Sequence, residues 1–466
     1  MALRDKLKNI SRHIKDYQPL LQHNYELFDM YEGNLVEYLE IALRKQLSPA
    51  SFAQIQHRLA PINILRRIID KLSKIYQPGP VRRIVDGNDQ DFELLSWYEE
   101  HFRANQKWNI GNEFFNMFKN TLVEPYITDD GMPRMRAIPS DKFLPYSDNR
   151  VDPTEPTVMI VSGGKAMKAD GSECQIYRVY SDDEFFIIDE NGDIVSSEMQ
   201  RLENFDGVNP AQRIPFTYVN RSFSLLIPKP DSDIKKLSIL IPVLLSDLNF
   251  VSMFQAFSMI WTIDIDAERM AMAPNAWLDL KSDGDGEKKP QIGTIKPEAD
   301  IDSLLRVIQT QLAFWLNSRG IRPGAIAKLD GESNVSGISK AIDEMDTSEE
   351  RQKQVQFFED AECDFWNLVM HHLHPLWVRN GLIEQRALFS PNAKVEVVFA
   401  EQIPMMRRSD IITTLRDEIA AGFTTRKYAI KKLNPRMSDE EIEMLLAEID
   451  NERGIVADEE PDQNVG

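Results

Sequence analysis

DIDSLLRVIQTQLAFWLNSRGIRPGAIAKLDGESNVSGISKAIDEMDTSEERQKQVQFFEDAECDFWNLVMHHLHPLWVRN, residues 300–380, is the stretch whose reading decides the fold. Ile301, Leu304, Leu305, Ile308, Leu312, Trp315 and Leu316 recur at helical spacing and so share one face. Asn317 to Val335 breaks the pattern with Gly320, Pro323, Gly324 and Gly331, which predicts a loop. A second helical pattern begins at Ser336 and runs to about Trp377, with Gly381 after Asn380 as its stop. That run is far longer than the roughly 10–14 residues usual for a helix in a globular protein. Two readings fit: a helical hairpin inside a large core, or a loop held on two rigid rods and pointed at something that passes by.

At 466 residues the chain has room for about three domains. Its 42% hydrophobic and 27% charged residues are those of a soluble globular protein. Lys and Arg number 54 against 74 Asp and Glu, a net charge of −20. A surface of that sign argues against tight DNA binding by the whole protein, although acidity also serves solubility. Cys174 and Cys363 lie far apart without a CxxC partner, which argues against zinc and against a disulfide framework. The first residues, MALRDKLKNISRHIKDYQ, have no apolar run and are not expected to form a signal peptide. Leu237 to Ile263 is the most membrane-like stretch, but Pro242, Asp247, Asn249 and Gln255 make it a buried helix rather than a span.

In chain order, Ala2 to about Lys74 reads as mostly helical, and Asp91 to Lys119 as a further, aromatic-rich helical region. The texture changes at Thr121. Val123 to Ile127, the turn Asp129-Asp130-Gly131 and Met132 to Ile138 predict a hairpin. Val158 to Val161, Gln175 to Tyr180 and Glu184 to Ile188 predict strands, and Asn191-Gly192 a tight turn. The β-rich part ends near Pro215 to Val219. Asp231 to about Ile263 is again helical, and Ala276 to Leu280 and Ile292 to Ile295 predict two short strands. Val395 to Phe399 reads as a single strand. Ser409 to Ala421 is a helix closed by Gly422, Thr424 or Thr425 caps the next, and Ser438-Asp439-Glu440-Glu441 is a capping box for a third. Val456 to Gly466 reads as a disordered acidic tail.

Most catalytic chemistry is missing. Gly163-Gly164-Lys165 lacks the leading Gly and the trailing hydroxyl of a phosphate loop. There is no Gly-x-Ser-x-Gly elbow, and Cys363 inside a helix reads as structural. Asp264 and Asp266 form an Asp-x-Asp pair that would suit Mg²⁺ and phosphoryl transfer, but acidic helix ends are also common merely because they are solvated. His371, His372 and His374 read as packed or solvated histidines rather than a metal site. The loop after the first rod carries Arg319, Arg322 and Lys328. Three cations there can touch phosphates singly without strong retention, or merely solubilise the loop.

The order of these features resembles the portal proteins of tailed bacteriophages. Gly131-Met132-Pro133-Arg134-Met135-Arg136-Ala137-Ile138-Pro139, followed by Phe143 to Asp148, looks like the family's hairpin and acidic turn before its wing strands. Arg213 to Asn220 looks like the lead-in to the stem, whose helix holds Asp247 and Asn249. Gly324-Ala325 up to Ser336-Gly337-Ile338 resembles the Ser-Gly element before the long helix. Gly422-Phe423-Thr424-Thr425, Asp439 to Ile442 and Glu448 resemble the C-terminal helical region. The resemblance covers roughly residues 25–453 and rests on feature order more than on any one string.

It implies an α+β, mainly helical portal fold. Residues 1–230 are then a wing with N-terminal helices and a β-rich part; 231–263 and 300–316 are two stem helices, and 264–299 the clip. Residues 317–335 form a tunnel loop, 336–400 the long helix with a wing strand, and 401–466 a crown with its acidic tail. The implied function is a ring-shaped channel, a head–tail connector at one capsid vertex of the virion. Double-stranded DNA enters through it during packaging and leaves during ejection. The implied partners are further copies of the chain in a closed ring of about twelve, DNA in transit, the terminase large subunit, capsid or scaffold proteins, and neck adaptors. Assembly is expected in the host cytoplasm, with no membrane partner, cofactor, metal or catalytic residue. Arg319, Arg322 and Lys328 are the expected DNA-facing residues, and Gly320, Pro323 and Gly324 the loop hinges. Phe250, Met253, Phe254, Phe257, Met259, Ile260 and Trp261 of the stem would pack on neighbouring subunits or in the chain's own core. Two readings of other classes stand beside this one: a metal-dependent phosphoryl-transfer enzyme using Asp264 and Asp266, and a soluble helical adaptor without a channel.

Overall fold

Leu3, Leu7, Ile10 and Ile14 recur at helical spacing at the start of helix α1 (Leu3–Glu32) and are all buried. In this computed structural model they pack on a four-stranded antiparallel sheet of β4 (Phe143–Tyr146), β5 (Val158–Met167), β6 (Glu173–Tyr180) and β7 (Phe185–Asp189). The structure describes residues 2–167, 172–195, 207–256, 259–263, 291–295, 301–321, 337–399, 408–434 and 442–450. The architecture is α+β and mainly helical, as expected.

The turn after β7 brings sheet and helix together. Gly192 sits at φ +82, and a Cβ there would lie 2.9 Å from the Leu7 carbonyl oxygen, so the Asn191-Gly192 turn needs its glycine. Ser11 Oγ donates to the Glu190 carbonyl beside it. A second, three-stranded sheet has the order β3 (Pro133–Ile138), β2 (Asn120–Ile127), β8 (Thr217–Asn220). Leu122, Ile138, Phe143, Met159, Val161 and Phe216 form the small core that links the two sheets.

Two larger cores hold the helices. The far half of α1 (Leu27, Met30, Tyr31) joins α2 (Leu35–Gln46), α3 (Pro49–Ile55) and α4 (Ile64–Leu72) in one. The same core takes in α7 (Ser232–Ala256) and α8 (Ile301–Ser318), which buries Ile308, Leu312, Trp315 and Leu316 as the periodicity predicts. The other core is aromatic: Tyr98 and Phe102 of α5 (Asp89–Phe102), Trp108 and Phe115 of α6 (Ala104–Phe118), and Phe358, Phe365 and Trp366 of the long helix α9 (Gly337–Leu368).

Several expectations are corrected. The helical region 91–119 is two helices, because Arg103 adopts a left-handed conformation (φ 51) between them. The single strand, β11 (Lys394–Val398), has a partner the periodicity did not reveal: β1 (Val81–Val85), paired antiparallel with Arg82 opposite Val397. The helix expected to reach Ile263 ends at Ala256. Met259–Ile263 is a strand, β9, paired with β10 (Gln291–Ile295). Its β-branched Ile260, Thr262 and Ile263 suit a pleated strand better than a helix end. The predicted strand at Ala276 to Leu280 lies outside the described residues. The long helix does not run unbroken to Trp377: a single π-turn, Val369–Leu373, separates α9 from α10 (His374–Arg379). Among the described residues, no helix is long and apolar enough to cross a membrane.

The chain divides into two compact units, Met1–Gly331 with Asp346–Ala400, and Glu332–Met345 with Glu401–Gly466. The second contains α11 (Arg408–Ala420), α12 (Arg426–Leu433) and a helix at 442–450. Thr425 caps α12 by accepting from the Tyr428 amide. Arg426 and Lys427 pair with Asp450 and Glu443, tying α12 to the last helix. The capping box at Ser438 to Glu441 lies outside the described residues.

Candidate functional site

Helix α8 ends in a Schellman motif. The Ile321 amide donates to the Leu316 carbonyl at 2.9 Å and the Gly320 amide to the Asn317 carbonyl at 3.1 Å. Gly320 takes φ +66, the left-handed conformation the motif needs, and a Cβ there would lie 3.2 Å from Glu350 Cγ. Leu316 and Ile321 are both buried, the apolar contact that accompanies this ending. The structure thus places Gly320, expected as a loop hinge, at the stop of a rod. The first residues of the expected loop are folded back onto the core.

Arg319 is turned inward as well. Its guanidinium reaches Asp231 Oδ2 at 3.1 Å and Asp233 Oδ1 at 2.8 Å, and its side chain is only 12% exposed. Asp231 also accepts from Lys119 Nζ at 2.5 Å. Burial alone would raise the Asp231 carboxyl, but the Lys119 hydrogen bond and the Arg319, Lys119 and Arg221 charges outweigh it and hold the group below its ordinary value. Arg221 faces Glu350 at 3.7 Å, and Lys353 pairs with the same carboxylate at 2.6 Å. All of these but Lys353 line a cleft of about 840 Å³ where the end of α6, the start of α7, the end of α8 and helix α9 converge. Buried Asn116 and Gln354 lie at its floor, joined by an Asn116 Nδ2 to Gln354 Oε1 bond of 3.1 Å. Chemically this is a clasp: Asp231, just before α7, and Asp233, in its first turn, fix the cation one residue past the end of α8. Each charge also suits its helix end, acid at the start of one and base at the end of the other.

Of the expected DNA-facing residues, Arg319 therefore has its charge compensated within the chain. Arg322 and Lys328, with the hinges Pro323 and Gly324, lie outside the described residues, as do Asp264 and Asp266. The partners of Arg319 were not singled out in the sequence. A signal was present: Pro228-Lys229-Pro230 followed by Asp231-Ser232-Asp233 is a helix start rich in acid.

The three histidines do not converge on one point. His371 Nε2 donates to the Ala393 carbonyl at 2.9 Å and His372 Nδ1 to that of Ala211 at 3.1 Å. His374 is fully buried; Nε2 donates to the Ala387 carbonyl, and Tyr98 Oη donates to Nδ1 at 2.7 Å. Burial pushes His374 below the ordinary imidazole value, with the Ala387 bond opposing. Among the described residues no group of three or more His, Cys, Asp or Glu is placed to hold a metal. Burial raises the Cys363 thiol, which suits an inert packed residue.

Comparison with known proteins gives one family. A family model described as phage portal protein, SPP1 Gp6-like, matches residues 10–454. No curated protein matches the chain.

Proposed function

The chain belongs to the phage portal protein, SPP1 Gp6-like, family, and from that premise we propose that it closes into a ring around a DNA channel at one capsid vertex. The ring holds about twelve copies related head to tail, so that each interface is heterologous and the rotation closes. Double-stranded DNA passes through it inward during packaging and outward during ejection. The segment 264–299, the clip, docks the terminase large subunit and later the neck adaptors. Residues 231–263 and 300–316 are the stem, 317–335 the tunnel loop and 401–466 the crown; the rest forms the wing and the long helix. Capsid or scaffold proteins hold the ring, which assembles in the host cytoplasm and stays in the virion. The family is structural, and no catalytic residue is assigned.

The match over residues 10–454 carries this reading. The charge supports it. About twelve copies at −20 each carry on the order of −240 charges, and a mostly acidic wall does not hold a polyanion. Arg322 and Lys328 then supply sparse, salt-screened contacts that centre the duplex. Arg319 serves instead to anchor the loop's first residues through Asp231 and Asp233. Electron microscopy of purified protein is expected to show rings with a central hole. Charge reversal at Arg322 and Lys328 is expected to lower DNA packaging while the rings persist. A protein that remains monomeric at every concentration, or unchanged packaging by the double variant, would count against the ring or the loop assignment respectively.

A further inference from the structure

The π-turn Val369–Leu373 opens the end of the long helix beside a second cleft, of about 790 Å³. It is lined by Arg213, His371, His372, Lys394, Asn367 and Asn392, with Asp86 as the one lining carboxylate. π-turns cost regular helix hydrogen bonding and recur at functional sites. Here the turn points two consecutive histidines into one cleft. A carbonyl oxygen can only accept, so His371 carries its proton on Nε2 and His372 on Nδ1.

The two permanent cations are presented by braced backbone. Asn209, 2% exposed, donates through Nδ2 to the Ser181 and Arg213 carbonyls, both at 2.8 Å, and so fixes the loop that carries Arg213. Lys394 opens β11, in register with Val85. Neither side chain makes an ion pair or hydrogen bond among the described residues; Asp364 feels the Arg213 charge only at longer range. This contrasts with Arg319 and Lys119, whose charges are fully engaged in the clasp. On a chain of net charge −20, this cleft brings together two cations that make no ion pair among the described residues.

We infer that this cleft docks an acidic peptide segment of a partner protein. Arg213 and Lys394 meet the carboxylates. Asn367 and Asn392, each with an amide donor and a carbonyl acceptor, suit the alternating groups of a peptide backbone. The volume lies within the about 300–1,000 Å³ that seats a ligand of several bonded groups, and exceeds what one small anion fills.

The test uses the full-length protein and a fluorescein-labelled Glu-rich decapeptide, read by anisotropy, with a Lys-rich peptide as control. The acidic peptide is expected to bind saturably, and more weakly as salt rises. The double variant Arg213→Glu/Lys394→Glu is expected to lose about tenfold or more in affinity, with an unchanged melting temperature because both residues are exposed and neither makes an ion pair among the described residues. Absence of saturable binding, or undiminished binding by the folded double variant, overturns the inference. So does displacement by equimolar inorganic phosphate, which would make this a small-anion site, or stronger competition by a duplex oligonucleotide than by unlabelled peptide.

Discussion

Arg82 and Glu362 are the most deeply buried ion pair among the described residues, 1% and 0% exposed at the side chain. Arg82 Nε and Nη2 lie 2.5 and 2.9 Å from the Glu362 carboxylate, and Nη1 reaches Glu99 and Asn105. Tyr76 Oη and Trp366 Nε1 donate to the same carboxylate. Burial opposes the guanidinium charge, but the Glu362 carboxylate and then Glu99 more than offset it, so Arg82 stays ionised. The pair joins β1 to the long helix across the aromatic core. Glu362→Ala leaves a buried cation short of its main counterion and is expected to cost about 3–5 kcal/mol. Replacing both residues by apolar ones of similar volume is expected to cost far less. Urea unfolding of the two variants distinguishes these outcomes. Nothing local in the sequence pairs these residues, since 280 positions separate them.

At the scale of elements, three helices stop in the same way. The Ile321, Leu382 and Phe423 amides each reach back to a carbonyl five residues earlier, across Gly320, Gly381 and Gly422. The sequence reading takes the last two as stops and the first as a hinge, because further breakers follow Gly320. What separates the cases is the tertiary contact with Glu350. Gly320→Ala forces a Cβ into the left-handed region and is expected to cost about 1–2 kcal/mol. Hydrogen exchange of the Gly320 and Ile321 amides is the measurement, and faster exchange confined to that helix end is the expected result. The two halves of the rods-and-loop reading thus fare differently. Both rods form, and the second half of the apolar face of α8 (Ile308, Leu312, Trp315, Leu316) is buried as its spacing predicts, whereas Leu304 near its start is exposed. The loop's start is held, rather than free, by Arg319 on Asp231 and Asp233.

At the scale of the whole molecule, the acidic balance argues against tight binding of DNA by the surface as a whole. Nonspecific binders that neutralise several phosphates have dissociation constants of about 10⁻⁴–10⁻⁶ M at physiological salt. The purified protein, at −20 per chain, is expected to leave linear duplex unshifted at micromolar concentration in a gel assay. A shift that weakens with salt would mean that a continuous basic track, rather than scattered cations, meets the DNA. The isolated basic cleft beside the π-turn is too small to form such a track.

Periodicity and turn chemistry are properties of neighbours in the chain. By themselves they determined the mostly helical character of residues 3–72, the hairpin at 123–138, the strands of residues 158–188, the long helix and its glycine stop, and the sign of the net charge. They did not determine which charges are spent. Arg319 and Lys119 are neutralised by aspartates that only folding brings within 3.1 Å or less, whereas Arg213 and Lys394 meet no such partner among the described residues. Nor did they reveal β1, a five-residue strand whose partner lies more than 300 positions away. Coulomb attraction and strand pairing act through space, so these choices belonged to the tertiary structure alone.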